Sequence, residues 1–191
     1  LPREAHAFFV RSSHGHGAIK SLDCRAARQM PGVLGVFTGD DWAADGMGHF
    51  GLGQPRTRRN GEPGFCPPRP ALVRGKVLFA GDAIAIIVAE TLDQAKDAAE
   101  RLALDVEPLA ALTVGTKARQ DGAPVLYPEC PDNEAFFYQA GDADAVEAAL
   151  QSAHHVTHLR VVINRVTANT MEPRAVIGDY DKSAGQHVLY G

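Results

Sequence analysis

Glu172 and Arg174 are the two residues whose types and spacing best suit a shared chemical task. They stand on either side of Pro173 near the end of the chain. A proline restricts the residue before it to an extended backbone, and residues two apart in an extended chain face the same way. The carboxylate and the guanidinium are therefore predicted to project together, either into a buried hydrogen-bond network or from a solvated hinge.

Two clusters of histidine could contribute metal ligands. His14 and His16 lie in a predicted turn, and His154, His155 and His158 lie around a predicted helix end. A zinc site takes three or four protein ligands, and further residues must orient them. Neither cluster supplies that number, so we predict polar residues near turns and no metal site.

The stretch GMGHFG, from Gly46 to Gly51, matches the GxGxxG pattern of dinucleotide-binding loops. That pattern binds a pyrophosphate where a strand precedes it and a helix begins after it. Residues 52–55 (LGQP) predict no helix, so we expect an ordinary loop. The sequence has no GxSxG or P-loop pattern, and the pair Asp40-Asp41 suits turn and helix-cap chemistry. No catalytic, cofactor-binding or metal-binding residue is therefore assigned.

The composition is that of a globular protein. Of 191 residues, 45% are hydrophobic and 22% are charged, which is far from the signature of disorder. The net charge is −4 and no basic stripe dominates, which argues against nucleic acid as a partner. Apolar runs such as Ala83–Ala89 are too short to span a bilayer. The length fits one domain plus part of another.

Cys24, Cys66 and Cys130 are widely spaced and form no CxxC pair. They cannot by themselves build a zinc ribbon or an iron–sulfur cluster. Three cysteines in this arrangement suit a reducing compartment, so a cytoplasmic location is predicted. A chain that begins Leu1-Pro2 without a signal peptide is predicted to start partway through a longer polypeptide, although removal of a leader would look the same.

The order strand, turn, strand, helix, strand occurs twice, at 5–38 and at 76–107. In the first unit Asp23 is predicted to cap a short helix. In the second unit Thr91 and Gln94 have the spacing of a capping box, and the strand AIAIIVA, apolar on both faces, is predicted to be central. Short helices on one side of a mixed sheet make an α+β domain.

The helix of the second unit has one apolar face. Leu92, Ala95, Ala99 and Leu102 recur along it at helical intervals. Because alanine is small, this face is predicted to approach a sheet closely.

Two long stretches show little periodicity. Residues 43–74 hold five prolines and five arginines, and a loop of this length is uncommon inside a compact domain. It is functional, disordered or an interface arm, with a mobile surface loop as the plain alternative. Residues 109–139, punctuated by Pro, Gly and Asp, are predicted to form an extended linker.

A further segment begins at Gly141. Asp142 or Asp144 is predicted to cap a helix, and HVTHLRVVI, RAVIGDYD and HVLYG are predicted strands. The chain stops within the last of these runs, so it is predicted to be one piece of a larger enzyme.

Four stretches, in order, resemble the large, molybdopterin-binding subunit of the xanthine dehydrogenase, aldehyde oxidase and carbon monoxide dehydrogenase family. They are FVRSSHGHGAIKSLDCRAARQMPGVLGVFTGDD, VLFAGDAIAIIVAETLDQAKDAAERLALDVEPLAALT, GDADAVEAALQSAHHV and NRVTANTMEPRAVIGDYD. The first is similar to the opening strand–turn–strand of that subunit, and the second carries its glycine–acid turn, capped helix and final EPL. Their order makes the resemblance specific.

The resemblance implies an α/β-hammerhead domain at residues 1–112 and an extended linker at 113–140. Residues 141–191 would then begin the first molybdenum-cofactor-binding domain. It also implies a molybdenum–pterin centre that hydroxylates or oxidises a small-molecule substrate with oxygen drawn from water. Electrons would leave through [2Fe–2S] clusters and FAD on partner domains or subunits.

The residues that bind the cofactor and catalyse in that family would lie beyond Gly191, so none is carried over. The chain alone is expected to be inactive and to bind no molybdopterin. Glu172 and Arg174 match the MEPR landmark of the family, where we expect structural supports near the domain junction.

Three functions remain open on the sequence. The first is the N-terminal portion of a molybdenum hydroxylase large subunit, whose partners are the rest of that subunit and the iron–sulfur and FAD chains. The second is a non-catalytic scaffold or assembly subunit that docks to a separate cofactor-bearing chain. The third, a free-standing small-molecule binding protein, would need a pocket built from the Gly46–Arg74 loop. The substrate and the oligomeric state are not specified.

Overall fold

The computed structural model describes residues 4–51, 56–163, 166, 170–172 and 174–191. The chain divides into two compact units, Leu1–Ala140 and Gly141–Gly191. Its strands pair in small sheets and its helices are few and short, so the predicted α+β class is confirmed. Within the described residues, no helix has the length and apolar character needed to cross a membrane.

The described part of the first unit contains six strands in two sheets. They are β1 (His6–Arg11), β2 (Gly17–Asp23), β3 (Val33–Thr38), β4 (Lys76–Val77), β5 (Ala83–Ala89) and β6 (Ala103–Pro108). Their orders are β1-β5-β3 in the first sheet and β4-β2-β6 in the second sheet, and each pair is antiparallel.

The two halves of this unit are interleaved through their middle strands. β5, from the second half, lies between the outer strands β1 and β3 of the first half. β2, from the first half, lies between β4 and β6 in the same way. The predicted central position of β5 is confirmed, because Ile84 and Ile87, on opposite faces of the strand, are both fully buried.

Three helices accompany these strands in the described part of the unit: α1 (Arg25–Arg28), α2 (Gly39–Ala44) and α3 (Leu92–Ala99). At α3 the predicted capping box is confirmed, since the Thr91 side chain accepts from the Gln94 N–H and the Gln94 side chain accepts from the Thr91 N–H. The prediction of Asp23 as N-cap of α1 is wrong by one residue. Cys24 is the N-cap, and the Asp23 carboxylate instead accepts from the Arg25 N–H and binds its guanidinium.

Helices α1 and α3 pack on the first sheet through small side chains. Ala27, Ala95 and Ala98 are fully buried and share one hydrophobic cluster with Val36 and Ile87. The close approach predicted for the alanine face is therefore confirmed. Leu92 is an exception to that face, since it is 40% exposed at the first position of the helix.

The strand predicted for KVLFAG is shorter than expected. It ends at Val77 because the next N–H, of Leu78, donates to the Asp82 carboxylate (2.7 Å) instead of a neighbouring strand. The turn at Gly81-Asp82 also forms two backbone hydrogen bonds with Ser12. The Ser12 N–H donates to the Asp82 carbonyl (2.8 Å), and the Ser12 carbonyl accepts from the Gly81 N–H (2.8 Å).

The second unit contains α4 (Ala143–Ser152) and an antiparallel hairpin of β7 (Ile177–Asp181) and β8 (Gln186–Tyr190). Asp142 caps α4 as predicted, with its side chain accepting from the Ala145 N–H (2.9 Å). The strand predicted at HVTHLRVVI is wrong, since residues 155–163 form no regular element. A strand is stabilised by pairing with a neighbour, and no described strand pairs with this run.

Replacing Ile87 with alanine tests the central role of β5. Ile87 lies between Phe8 of β1 and Val36 of β3, and loss of such a core side chain costs about 2–5 kcal/mol of unfolding free energy. Ile86→Ala is the matched control, because Ile86 lies on the other face and is only half-buried. Urea denaturation should show the larger loss for Ile87→Ala; equal losses would contradict this packing.

Candidate functional site

The two stretches that lack periodicity meet each other in the first unit. We name residues 56–65 the arm and residues 126–137 the strap. The Gly64 N–H donates to the Arg56 carbonyl (2.7 Å), the Phe65 N–H to the Ala135 carbonyl (2.7 Å), and the Phe137 N–H to the Thr57 carbonyl (2.9 Å). Residues 56–57 and 64–65 of the arm and residues 135–137 of the strap therefore lie side by side. We name these three segments the strip.

Gly64 permits this close backbone approach. A Cβ atom at this position would stand 2.9 Å from the Arg56 carbonyl oxygen and 3.1 Å from the Ala135 carbonyl oxygen. Both neighbours are backbone atoms, which cannot rotate away as a side chain could. The three segments of the strip thus approach one another most closely at a residue with no side chain.

Ion pairs join the arm to the strap. The Arg58 guanidinium binds the Asp132 carboxylate. The Glu134 carboxylate binds two guanidinium groups, with Arg59 Nε at 3.1 Å and Arg119 Nη1 at 2.9 Å from its Oε2. The Glu134 side chain is only 10% exposed, so these contacts are screened less by salt than surface pairs.

Arginine side chains of the arm form cation–π contacts with aromatic rings of the strap. The Arg59 guanidinium lies 3.8 Å from the centroid of the Phe137 ring, and that of Arg56 lies 5.4 Å from the Phe136 centroid. Such cation–π contacts contribute about 0.5–1 kcal/mol at exposed sites.

Tyr127 connects the strap to strand β4. Its ring lies 5.1 Å from that of Phe65 and 5.0 Å from the Lys76 ammonium, and Lys76 also donates to the Leu126 carbonyl. Burial raises the pKa of the Tyr127 hydroxyl. The hydroxyl therefore stays protonated at neutral pH.

The Asn133 side chain forms hydrogen bonds with the backbone of residues 118–126. Its Oδ1 accepts from the Leu126 N–H (3.2 Å), and its Nδ2 donates to the carbonyls of Ala118 and Pro124 (2.9 Å each). Its φ of 56° lies in the left-handed region, which asparagine tolerates better than most residues. One side chain thus binds three separate points of residues 118–126.

The two buried cysteines do not have the surroundings of reactive thiols. Burial raises the pKa of both the Cys24 and the Cys130 thiol, whereas nucleophilic cysteines have a lowered pKa. Cys130 donates to the Asp132 carboxylate (3.6 Å), which suits a packed side chain at the base of the strap.

Glu172 and Arg174 are both exposed. The Glu172 carbonyl accepts from the Thr170 hydroxyl (2.6 Å), and strand β7 begins only at Ile177. The restriction placed on Glu172 by Pro173 lies outside the described residues. The role of Glu172 and Arg174 as supports near a domain junction stays a prediction.

His16, near the first turn, has a structural role. His16 is 7% exposed, and its Nδ1 lies 2.8 Å from the Ala110 carbonyl, so it is the polar residue near a turn that the sequence predicted. Across the described ranges, no three His, Cys, Asp or Glu side chains converge as a metal site would require.

The loop predicted for GMGHFG is observed at residues 46–51. The Trp42 indole N–H donates to the Gly48 carbonyl (2.8 Å), and Phe50 forms an isolated bridge with Arg69. The residues 52–55 that follow lie outside the described part of the chain.

A molybdenum–pterin group needs polar atoms that are free to receive it. In the part of the chain that the structure describes, every buried side-chain nitrogen or oxygen already has a hydrogen-bond partner. None of these buried atoms is therefore left unpaired for such a group, and the expectation that this chain alone binds no molybdopterin stays a prediction.

Sequence reasoning missed the arm–strap contacts, although signals for them exist. Arginines concentrate in 56–74 and carboxylates in 129–134, and opposite charge in two irregular stretches indicates pairing. Asn133 in the run Pro131-Asp132-Asn133 is a turn signal. The arginines of the arm lie some seventy residues from their carboxylate partners, as in the pair of Arg58 with Asp132, and periodicity within a short window cannot show such a pair.

Two small interleaved sheets with helices packed on one of them define an α+β domain, and residues 1–110 match the a/b hammerhead domain of aldehyde oxidase and xanthine dehydrogenase. The chain belongs to this family. The predicted resemblance and the predicted hammerhead domain are confirmed. The domain limits 1–112, 113–140 and 141–191 stay predictions; residues 113–140, predicted to be an extended linker, fall within the first compact unit.

Curated relatives extend the similarity to nearly the whole chain. The carbon monoxide dehydrogenase large chain of Afipia carboxidovorans is 30% identical over 100% of this chain and 24% of its own length. The nicotine 6-hydroxylase large subunit of Paenarthrobacter nicotinovorans is 33% identical over 93% of this chain and 21% of its own length. The chain thus spans less than a quarter of the length of these two relatives.

Solved structures agree with this assignment. Quinoline 2-oxidoreductase from Pseudomonas putida 86 matches with a TM-score of 0.79 and 27% identity, over 97% of this chain and 22% of that one. The Cu,Mo-CO dehydrogenase in its carbon monoxide reduced state matches with a TM-score of 0.63 and 29% identity, over 81% and 20%. The chain resembles the N-terminal region of molybdenum hydroxylase large subunits.

Substitution of Asn133 tests its role in the strap. Asn133→Ala removes three side-chain hydrogen bonds, each contributing roughly 1 kcal/mol, and places alanine at a positive φ, so we expect a loss of about 2–4 kcal/mol in unfolding free energy. Asn133→Gly should lose less, because glycine accepts this backbone. Asn60→Ala, which removes a single bond to Glu62, is the control. Equal effects of all three in urea denaturation would contradict the assignment.

Protonation of Asp132 at low pH should lower the unfolding free energy. The Glu134 N–H donates to this carboxylate, and with the Arg58 guanidinium it holds the Asp132 pKa below its ordinary 3.8. A carboxyl whose pKa is lower in the folded state stabilises the fold above its unfolded pKa, and that stabilisation is lost as the pH falls through the folded pKa. Wild type should therefore exceed Asp132→Asn in unfolding free energy at pH 6, and the difference should shrink below about pH 4. A difference that is constant from pH 6 to pH 2.5 would rule this out.

Proposed function

We propose that this chain is the N-terminal portion of a molybdenum hydroxylase large subunit and is catalytically incomplete alone. The complete enzyme would hydroxylate or oxidise a small molecule with oxygen drawn from water. The family assignment supports the reaction class, since relatives over nearly the whole chain are a carbon monoxide dehydrogenase and a nicotine hydroxylase. Which small molecule is the substrate does not follow from this chain.

The observation that carries the proposal is the apolar surface of the second unit. Leu159, Val161 and Ile163 are 83%, 67% and 88% exposed, and Leu189 of the hairpin is 73% exposed. Large apolar side chains that are exposed in number often mark a surface that meets a partner. We propose that the rest of the large subunit covers this surface and completes the cofactor domain that residues 141–191 begin.

The proposed cofactor is molybdenum with molybdopterin, held by the remainder of the subunit. The nicotinate dehydrogenase large molybdopterin subunit of Eubacterium barkeri, 28% identical over 95% of this chain, supports this group. Iron–sulfur and FAD chains are the proposed partners in electron transfer. Their support is the similarity to a complex subunit, the gamma subunit of a 6-hydroxypseudooxynicotine dehydrogenase. A cytoplasmic location is proposed on the cysteine pattern alone.

The molybdenum and pterin content and the oxidation activity of the purified chains test the proposal directly. The 191-residue chain is purified alone and together with the candidate remainder of its subunit and the accessory chains, and each sample is assayed for molybdenum, for pterin and for dye-linked oxidation. We expect no stoichiometric molybdenum and no turnover for the chain alone, and both on completion. Stoichiometric molybdenum with turnover in the isolated chain would contradict the proposal. Assembly of all chains without cofactor or turnover would favour the scaffold alternative.

A pair of variants tests the surface that carries the proposal. Ile163→Asp should reduce association with the remainder of the subunit at least tenfold, because it places a charge where an apolar contact is required. Arg160→Asp alters a neighbouring exposed residue and is the control, with little change expected. Affinity is measured by biolayer interferometry. Equal affinities for the two variants would show that Ile163 lies outside the contact.

A further inference from the structure

The arm and the strap lie apart from the main hydrophobic core. The core cluster joins β1, β2, β3, β5, α1 and α3, and no residue of 56–65 or 126–137 belongs to it. The contacts of the strip are mainly backbone hydrogen bonds, ion pairs and partly exposed rings, and Cys130 of the strap is buried. Segments with few buried apolar contacts open at lower free energy than the core that carries them.

Glu134 is the point at which the contacts of the strip converge. Its carboxylate binds Arg59 of the arm and also Arg119, which lies ahead of the strap. Arg59 in turn covers the ring of Phe137. The backbone N–H of Glu134 donates to the Asp132 carboxylate (3.2 Å). One side chain therefore ties together three separate parts of the chain.

We propose that the arm and the strap form a latch that opens and closes as one unit on intact sheets, and that Glu134 holds it closed. Opening separates the arm from the strap and frees the chain that leads on to Gly141. The latch depends only on contacts within the first unit, so it stands independently of the proposed function.

The burial of the carboxylates explains why Glu134, and not Asp132, closes the latch. The Asp132 side chain is 49% exposed and that of Glu134 is 10% exposed. The Arg59 and Arg119 side chains are 52% and 53% exposed, so in these pairs only the carboxylate is buried. Glu134 differs from Asp132 in this burial and in binding two guanidinium groups, where Asp132 binds that of Arg58.

Hydrogen exchange followed by mass spectrometry on the whole 191-residue chain tests the latch. In Glu134→Gln we expect the amides of Gly64, Phe65 and Phe137 to lose protection by roughly tenfold or more, as expected for loss of a charge-assisted bond. Amides of strands β2 and β5 should keep their protection. The control Glu107→Gln removes a half-exposed pair with Lys20 on the second sheet and should leave the latch unchanged.

A second variant opens the latch without changing a charge. Gly64→Ala forces apart the backbones of Arg56 and Ala135 and should expose the same three amides, while Gly48→Ala, which has open space around it, should not. In Glu134→Gln, unchanged protection of the strip would overturn the proposal. An equal loss of protection in β5 would also overturn it, because the strip would then open only with the sheets.

Discussion

The exchange of central strands between two halves of the first unit is the constraint on which the rest of the fold depends. Both edges of β5 are hydrogen-bonded because β1 and β3, which precede it by more than forty residues, flank it. β2 depends on β4 and β6 in the same way. Neither half can complete a sheet alone, so the stability of each half is inseparable from that of the other. Such non-local pairing makes folding slower than in proteins with local contacts. It also leaves a long connection between the halves, which must find its own contacts outside the two sheets.

That connection is stabilised by polar contacts in place of a core. Buried backbone groups need partners, and residues 56–65 find theirs in residues 135–137. Arginines of one stretch and carboxylates of the other fix the register, and Gly64 lets the backbones approach. Two segments that look structureless when each is considered alone therefore give each other structure. The same feature leaves them independent of the main core, which is why they can be expected to open separately.

Local signals predicted the fold better than long-range ones. The capping box of Thr91 and Gln94, the Asp142 cap and the central place of β5 all follow from residues within a few positions of one another, and the structure contains each of them. The alternation in HVTHLRVVI failed as a predictor because a strand also needs a neighbour, and no described strand pairs with this run. The contact of Glu134 with Arg59 was missed because the two residues are 75 positions apart, and the contacts of Asn133 were missed because residues 118–126 show no periodicity that would place them.

Several titrating groups of the first unit have pKa values shifted away from neutrality. Hydrogen bonds from Thr38 lower the pKa of Asp41, and the Glu134 N–H lowers that of Asp132. Burial raises the pKa of Cys130 and of Tyr127. Acids that begin below neutrality thus move lower, and those that begin above it move higher, whereas catalytic groups are tuned toward the working pH. Polar groups that stabilise one another in this way suit an architectural role, and the absence of catalytic residues from this unit stays a prediction.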